Sequence, residues 1–138
     1  MARILKNFSN ICLALFLSAG IAMAADLSTK DVQILEEAGI PVYQGAQFVD
    51  GSLGSIVGAR FATSAPADEV RAFYKGKFPG WALNDQYGSW ILYKGEPGGG
   101  PGAYMEKQQI SVVKNDNLPS WFGLDKSMTT EIIIVVPK

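Results

Sequence analysis

The chain has 138 residues and a formal net charge of −1, and it contains no histidine and a single cysteine. Without imidazole, a histidine-based catalytic triad and a histidine zinc site are excluded. The basic residues are nearly balanced by acidic ones and lie scattered along the chain, so the broad basic surface of nucleic-acid-binding proteins is missing. We therefore expect no nucleic-acid partner.

The N-terminal residues have the layout of a secretory signal peptide. Arg3 and Lys6 precede an apolar stretch over residues 11–23, which runs into small residues suited to cleavage. We predict that residues 1–24 are a signal peptide, cleaved between Ala24 and Ala25. Residues 25–138 are then expected to form a single α+β domain that is periplasmic or secreted.

A membrane anchor is the alternative interpretation of this apolar stretch. A helix that spans a bilayer needs roughly 20 apolar residues, whereas Ser18 and Gly20 interrupt this shorter run. We therefore expect no membrane span after cleavage. Cys12 lies inside the run and should leave with the signal peptide, so thiol chemistry is not expected in the mature domain.

Two helices are predicted from their end signals. Ser28 and Asp31 form a capping pair at the start of "DVQILEEAG", and Gly39 marks where that helix stops. Residues 67–78 predict a second, principal helix, because apolar residues recur there at helical spacing. Acidic residues in its first turn and lysines in its last turn suit the helix dipole.

The other periodic segments predict strands. Residues 42–49 are expected to be extended, and residues 56–63 alternate between two faces as a half-buried strand does. Further strands are predicted in "SWILYK", "QQISVVK" and "TTEIIIVVP", with a short one near Trp81. The last segment is apolar on both faces, which favours a central place in the sheet. The expected fold class is α+β, a mainly antiparallel β-sheet with one principal helix packed on one face and a short N-terminal helix.

The glycine-rich stretch "YKGEPGGGPGAY" at residues 93–104 matches a cofactor pattern only in form. Gly98, Gly100 and Ala103 fit G-x-G-x-x-A, the dinucleotide-binding fingerprint. That fingerprint needs a parallel strand–helix–strand unit, and Pro97 and Pro101 remove backbone N–H donors from the loop. We interpret the stretch as a long connection between two antiparallel strands and expect no cofactor.

Aromatic residues fall into two groups. Four on periodic positions are expected to be buried, namely Phe61, Phe73, Trp90 and Tyr93. Four others flank or occupy loops and are candidate binding residues for a protein partner or a sugar ring, namely Tyr87, Tyr104, Trp121 and Phe122. The alternative is that members of this second group fold back as lids over the sheet edges.

Acidic and amide residues give two weaker patterns. Asn115, Asp116, Asn117 and Asp125 suggest a calcium loop, but their register is wrong for that motif and turn chemistry explains them better. We expect no metal. Glu96 and Glu106 could serve as an acid–base pair in a hydrolase, although nothing in their spacing brings them together.

A larger stretch, from "IPVYQGAQFV" through "ARFATSAPADEVRAFYKGKFPGW", resembles small secreted domains of bacteria that have no assigned activity. The shared features are a proline, a tyrosine and a small-residue turn, then a strand ending in F-x-T, a helix with E-V-x-x-F-Y, and a tryptophan. They correspond here to Pro41, Tyr43, Gly45, Phe61, Thr63, Glu69, Val70, Phe73, Tyr74 and Trp81. The resemblance implies an antiparallel α+β fold and a periplasmic location, and it carries no catalytic residues.

These observations favour an exported, non-catalytic binding or accessory module of the bacterial periplasm or cell envelope. Its expected partner is a protein or an envelope component. Two alternatives stay open, an inhibitor of a secreted enzyme and a small hydrolase that relies on carboxylates or on a serine–lysine pair.

Overall fold

The structure is a computed structural model, and it describes residues 27–138. The predicted signal peptide and its cleavage site at Ala24 and Ala25 lie outside the described residues. In chain order the elements are helix α1 (Thr29–Ala38), strands β1 (Gln47–Gly51) and β2 (Ala59–Thr63), helix α2 (Ala67–Lys77), strand β3 (Ala82–Asn84), a 3-10 turn (Gln86–Gly88), strands β4 (Ile91–Tyr93) and β5 (Gln109–Lys114), helix α3 (Leu118–Phe122) and strand β6 (Thr130–Val135). Among residues 27–138, no helix has the length and hydropathy that a bilayer crossing requires.

The six strands form one antiparallel sheet in the order β1-β2-β6-β5-β4-β3. The expected α+β class is therefore confirmed. Strand β6 lies between β2 and β5, so the central place predicted from its apolar character is also confirmed. Because β2 and β5 flank β6, its backbone N–H and C=O groups are paired on both sides.

The core lies between one face of the sheet and the two longer helices. Ile132 and Ile134 of β6 point to this face and are fully buried, as are their neighbours on β2 and β5. Helix α1 contributes Leu35 to the same cluster, and α2 contributes Val70 and Tyr74. Burial of this apolar surface supplies most of the stabilising free energy of such a domain.

Helix α1 begins and ends at the residues that the sequence predicts. The Ser28 side chain accepts a hydrogen bond from the Asp31 backbone N–H, and Gly39 closes the helix with a left-handed backbone. The Asp31 carboxylate also accepts a bond from the Leu53 backbone N–H at 2.8 Å. The first turn of α1 is therefore tied to the β1–β2 connection.

Tyr74 joins α2 to the segment that precedes β1. Its hydroxyl accepts a bond from the backbone N–H of Tyr43 at 3.1 Å and donates one to the carbonyl of Pro41 at 3.0 Å. The side chain is completely buried, and this burial raises the pKa of Tyr74 because the phenolate would lose its hydration.

Arg71, one turn earlier on α2, ties the same helix to the sheet. Its Nε and Nη2 atoms both donate to the carbonyl of Val112 in β5, at 3.1 Å and 3.0 Å. Its guanidinium lies 5.8 Å from the centre of the Trp90 ring. The guanidinium thus satisfies the carbonyl of a β5 residue that lies opposite Trp90, just before β4 begins.

Two predicted strands begin three or more residues later than expected. The strand predicted over 56–63 begins only at Ala59, because Gly58 has a φ of 75° and Ser55 builds a turn with Ser52 and Gly58. Ile56 is consequently 97% exposed in the β1–β2 connection. In the segment 42–49, a turn closed between Tyr43 and Ala46 delays β1 until Gln47.

Burial of the aromatic residues on periodic positions agrees with expectation except at one position. Phe61, Trp90 and Tyr93 are buried. Phe73 is only half-buried, since it lies on the flank of α2, where its ring packs edge-on against Tyr43 and the Lys77 ammonium lies 5.5 Å from its centre.

Candidate functional site

The four candidate aromatic residues lie at two opposite ends of the sheet. Tyr87 lies in the β3–β4 connection, and Trp121 and Phe122 lie in the β5–β6 connection. In an antiparallel sheet with this register, both connections leave the same end, which we call the α3 end. Tyr104 lies in the β4–β5 connection, at the opposite end. The four residues therefore do not form one site.

Helix α3 is a short helix that the sequence interpretation missed, although its signals are present. Pro119 lies in its first turn, and Gly123 follows its last residue with a φ of 63°. Proline near the start and glycine just beyond the end are the usual helix boundaries. Five residues are too few to show helical periodicity, so the turn-forming Asn and Asp residues around the helix dominate the sequence pattern.

Three side chains of helix α3 are shielded from solvent. Leu118 is fully buried and Pro119 is buried. Phe122, one turn after Leu118, is half-buried with its ring centre 5.4 Å from the guanidinium carbon of Arg60 on β2. Gly123 and Leu124 both direct backbone N–H groups to the Pro119 carbonyl and close the helix.

A polar network fixes the base of this segment. The side-chain amide of Asn115 donates to Oε2 of Glu131 at 3.2 Å, and Nε of Arg60 lies 3.4 Å from the same oxygen. The Nη1 atom of Arg60 lies 3.6 Å from Oδ1 of Asp50. Glu131 is nearly buried, so this charge would be costly without its two partners. The network therefore favours one position for the segment that carries α3.

Trp121 points away from these anchors. It lies between buried Pro119 and half-buried Phe122 in the chain, yet its side chain is 62% exposed. A large aromatic ring displayed on a tethered helix combines apolar area with a low entropic cost of ordering. Trp121 thus has the properties of a preformed contact residue.

Tyr87 is fully exposed and has an unusual backbone. Its φ is 55° and its ψ is 35°, in the left-handed region that side chains with a Cβ rarely adopt. The turn is held by bonds from the Gln86 N–H to the side chain of Asn84 and from the Ser89 hydroxyl to the Gln86 carbonyl. A bulky residue in a strained and solvated position contributes nothing evident to folding, which marks it as a candidate for contact with a partner.

Tyr104 and Phe122 pack against the sheet instead. The Tyr104 ring lies edge-on to Tyr93 with 6.3 Å between ring centres, and Gln109 donates a side-chain bond to the Tyr104 carbonyl. Both residues are half-buried and cover the sheet face opposite to α1 and α2. Both aromatic residues fold back as the alternative interpretation expects, but over a face of the sheet and not over its edges.

The glycine-rich connection joins two antiparallel strands, β4 and β5, as predicted. Residues 97–106 form successive turns, with left-handed backbones at Gly98, Gly100 and Gly102. The dinucleotide alternative requires a parallel pair of strands and a following helix, so this connection does not have the geometry of that site.

The acidic segment after β5 uses its oxygens for turn bonds. The Asn115 side chain accepts from the Asn117 N–H, and Asp125 accepts from the N–H and hydroxyl of Ser127. The Ser127 bonds lower the pKa of Asp125. Among residues 27–138, no group of three histidine, cysteine, aspartate or glutamate side chains is placed to hold a metal ion. Glu96 and Glu106 are both exposed in the glycine-rich connection.

A shallow pocket of about 260 Å³ lies where α1 meets the segment after β6. Ile34, Ala38 and Val136 line it, together with Gln108, whose side-chain oxygen is buried without a hydrogen-bond partner among the described residues. Pockets for small molecules usually exceed about 300 Å³. None of the four candidate aromatic residues lines this pocket, so the two features are separate.

Comparison of the chain with protein-family models, curated proteins and solved structures found no match. The resemblance to small secreted bacterial domains stays a prediction.

Proposed function

We propose that this chain is an exported, non-catalytic binding module of the bacterial periplasm or cell envelope, and that Trp121 is its principal contact with a protein or envelope-component partner. The observation that carries the proposal is the 62% exposure of Trp121 on a helix whose neighbouring residues are anchored. Export rests on the predicted signal peptide.

The arrangement of α3 supports a binding role over a purely structural one. Leu118 is already buried and Phe122 already contacts Arg60 on β2, so Trp121 is not needed to anchor the helix. Exposed tryptophan is common at the centre of protein interfaces, where its burial contributes strongly to affinity. It also stacks on sugar rings, which makes envelope glycans a second class of partner.

Tyr87 supplies a second exposed ring at the α3 end of the sheet. Two rings on separate, hydrogen-bonded turns allow a partner to be engaged without ordering of flexible loops. Preformed contacts of this kind lower the entropic cost of binding.

The experiment is a crosslinking pull-down from the envelope fraction of the bacterium that encodes the chain, with wild-type protein, Trp121→Ala and Lys126→Ala as baits. Lys126 is an exposed residue of the same connection and provides the matched control. We expect a partner retained by wild type and Lys126→Ala and lost by Trp121→Ala. Sedimentation with isolated cell-wall polymer tests the glycan class in the same way.

Thermal melting of the same variants separates binding from stability. Trp121→Ala is expected to melt close to wild type, whereas Phe122→Ala should melt lower because its ring covers Arg60. A large drop in melting temperature for Trp121→Ala would show that the ring is structural. Undiminished capture by that variant would also contradict the proposal.

A further inference from the structure

The backbone of strand β3 has one residue that faces away from the sheet. On either side of strand β4, the Lys94 N–H donates to the Gln108 carbonyl and the Trp90 carbonyl accepts from the Val112 N–H, in register with the pair of Leu92 and Ile110. Residues of β4 with even numbers therefore direct their backbone groups to β5. Ile91 and Tyr93, which alternate with them, direct theirs to β3.

It follows which residues of β3 are paired. Ile91 and Tyr93 lie opposite Asn84 and Ala82, so these two residues of β3 carry the hydrogen bonds of the ladder. Leu83 lies between them, and its N–H and C=O point outward, to the free edge of the sheet. Its side chain is 37% exposed, although it shares the helix-covered face with buried Leu92.

We propose that this edge pairs with the same edge of a second copy of the chain, through an antiparallel β3–β3 contact centred on Leu83. About a two-fold axis, each Leu83 N–H would donate to the carbonyl of the other Leu83. Both outward backbone groups of β3 would then be hydrogen-bonded in each copy. The two Leu83 side chains would meet on one face and extend the core of each subunit.

The sequence of the edge is compatible with this self-pairing. Centred on Leu83, the register places Ala82 opposite Asn84 and Trp81 opposite Asp85, so no like charges face each other. The strand also lacks the lysine, proline or bulge with which natural edges avoid pairing. The opposite edge, β1, has a bulge between Phe48 and Asp50 and carries a charged side chain, which makes it a poor partner.

The test is the molar mass of the purified full-length gene product by sedimentation equilibrium, from about 1 µM to about 1 mM, the range in which small interfaces associate. We expect a reversible dimer. Leu83→Pro removes the outward N–H, which the β3–β4 ladder does not use, and replaces the leucine side chain, so it should weaken the dimer at least about tenfold while the monomer stays folded. Leu83→Thr, which keeps the N–H and suits a strand, is the matched control and should still dimerise.

Several outcomes would overturn the proposal. One is a wild-type protein that is monomeric over the whole range, whether or not it binds another polypeptide. Another is a Leu83→Pro dimer of wild-type strength. If Leu83→Pro fails to fold, Leu83→Lys decides, because it retains the N–H and places two ammonium groups side by side across the axis. A Leu83→Lys dimer of wild-type strength would locate the contact elsewhere.

Discussion

The Tyr74 hydroxyl accepts a hydrogen bond from the backbone N–H of Tyr43, 31 residues earlier in the chain, in a fully buried position. Through this bond and the one donated to Pro41, a single phenol fixes how the chain between α1 and β1 crosses α2. The stability of the domain should therefore depend on one oxygen atom.

Tyr74→Phe is expected to lower the free energy of unfolding by about 1–3 kcal/mol, because the half-buried Tyr43 N–H and Pro41 carbonyl lose their partner. Urea unfolding at neutral pH measures this. The matched control is Tyr93→Phe, since the Tyr93 hydroxyl makes only a long bond of 3.4 Å to Glu96. Its effect should stay within about 0.5 kcal/mol. Equal losses for the two variants would contradict the special role of Tyr74.

The same phenol predicts an alkaline loss of stability. Burial raises the pKa of Tyr74 above the value of about 10 that it has in the unfolded chain. The neutral phenol therefore contributes its full stability below about pH 10, and this contribution is lost as the pH rises toward the folded-state pKa. The stability difference between wild type and Tyr74→Phe should shrink above pH 10, by up to about 1.4 kcal/mol per pH unit. A difference that is the same at about pH 9 and about pH 11 would be inconsistent with this assignment.

The backbone of Tyr87 predicts an unusual order of stability among its substitutions. Because its φ is 55°, glycine should suit the position better than any residue with a Cβ. Tyr87→Gly is expected to be more stable than Tyr87→Ala by about 1 kcal/mol, and no less stable than wild type. Thermal denaturation of the three proteins gives the order. If alanine were the more stable replacement, the strain inferred from the backbone would be absent.

The glycine-rich connection should be dispensable for folding over residues 95–102. Most of this stretch is exposed, and shortening a flexible loop changes stability only by a few tenths of a kcal/mol, about 0.6 for a twofold change in length. Replacing it with a shorter flexible turn should therefore leave a cooperative melt. Tyr104→Ala, outside this stretch, should cost about 1 kcal/mol because its ring packs on Tyr93. A loop variant that melts without cooperativity would show that the stretch is packed structure.

Local signals in the sequence predicted those parts of the fold that depend on neighbouring residues. Ser28 and Gly39 bound α1 because caps act within one turn, and the two-sided apolar character of β6 reports its central position directly. The strand predicted from Ile56 fails for a different reason. The alternation of apolar residues continues through this segment, but it contains no information about the turn that Ser55 forms or the left-handed backbone of Gly58.

The candidate site was harder to predict because it depends on distant contacts. Trp121 and Phe122 are adjacent aromatic residues in the same segment, and nothing local distinguishes them. Phe122 is covered because Arg60, on a strand about 60 residues earlier, lies beneath its ring, while Trp121 has no such partner among the described residues. Which ring projects is thus decided by the packing of α3 across the sheet.

The position of β6 has a consequence for how the domain folds. Strands β1 and β2 form one hairpin and β3, β4 and β5 form a meander, and β6 alone joins the two. Each half leaves an apolar edge unpaired until β6 arrives, and its pairing with β2 closes a loop of about 70 residues. The pairing of β6 with β2 is therefore the long-range step in assembly of the sheet, and we expect the rate of folding to depend on it.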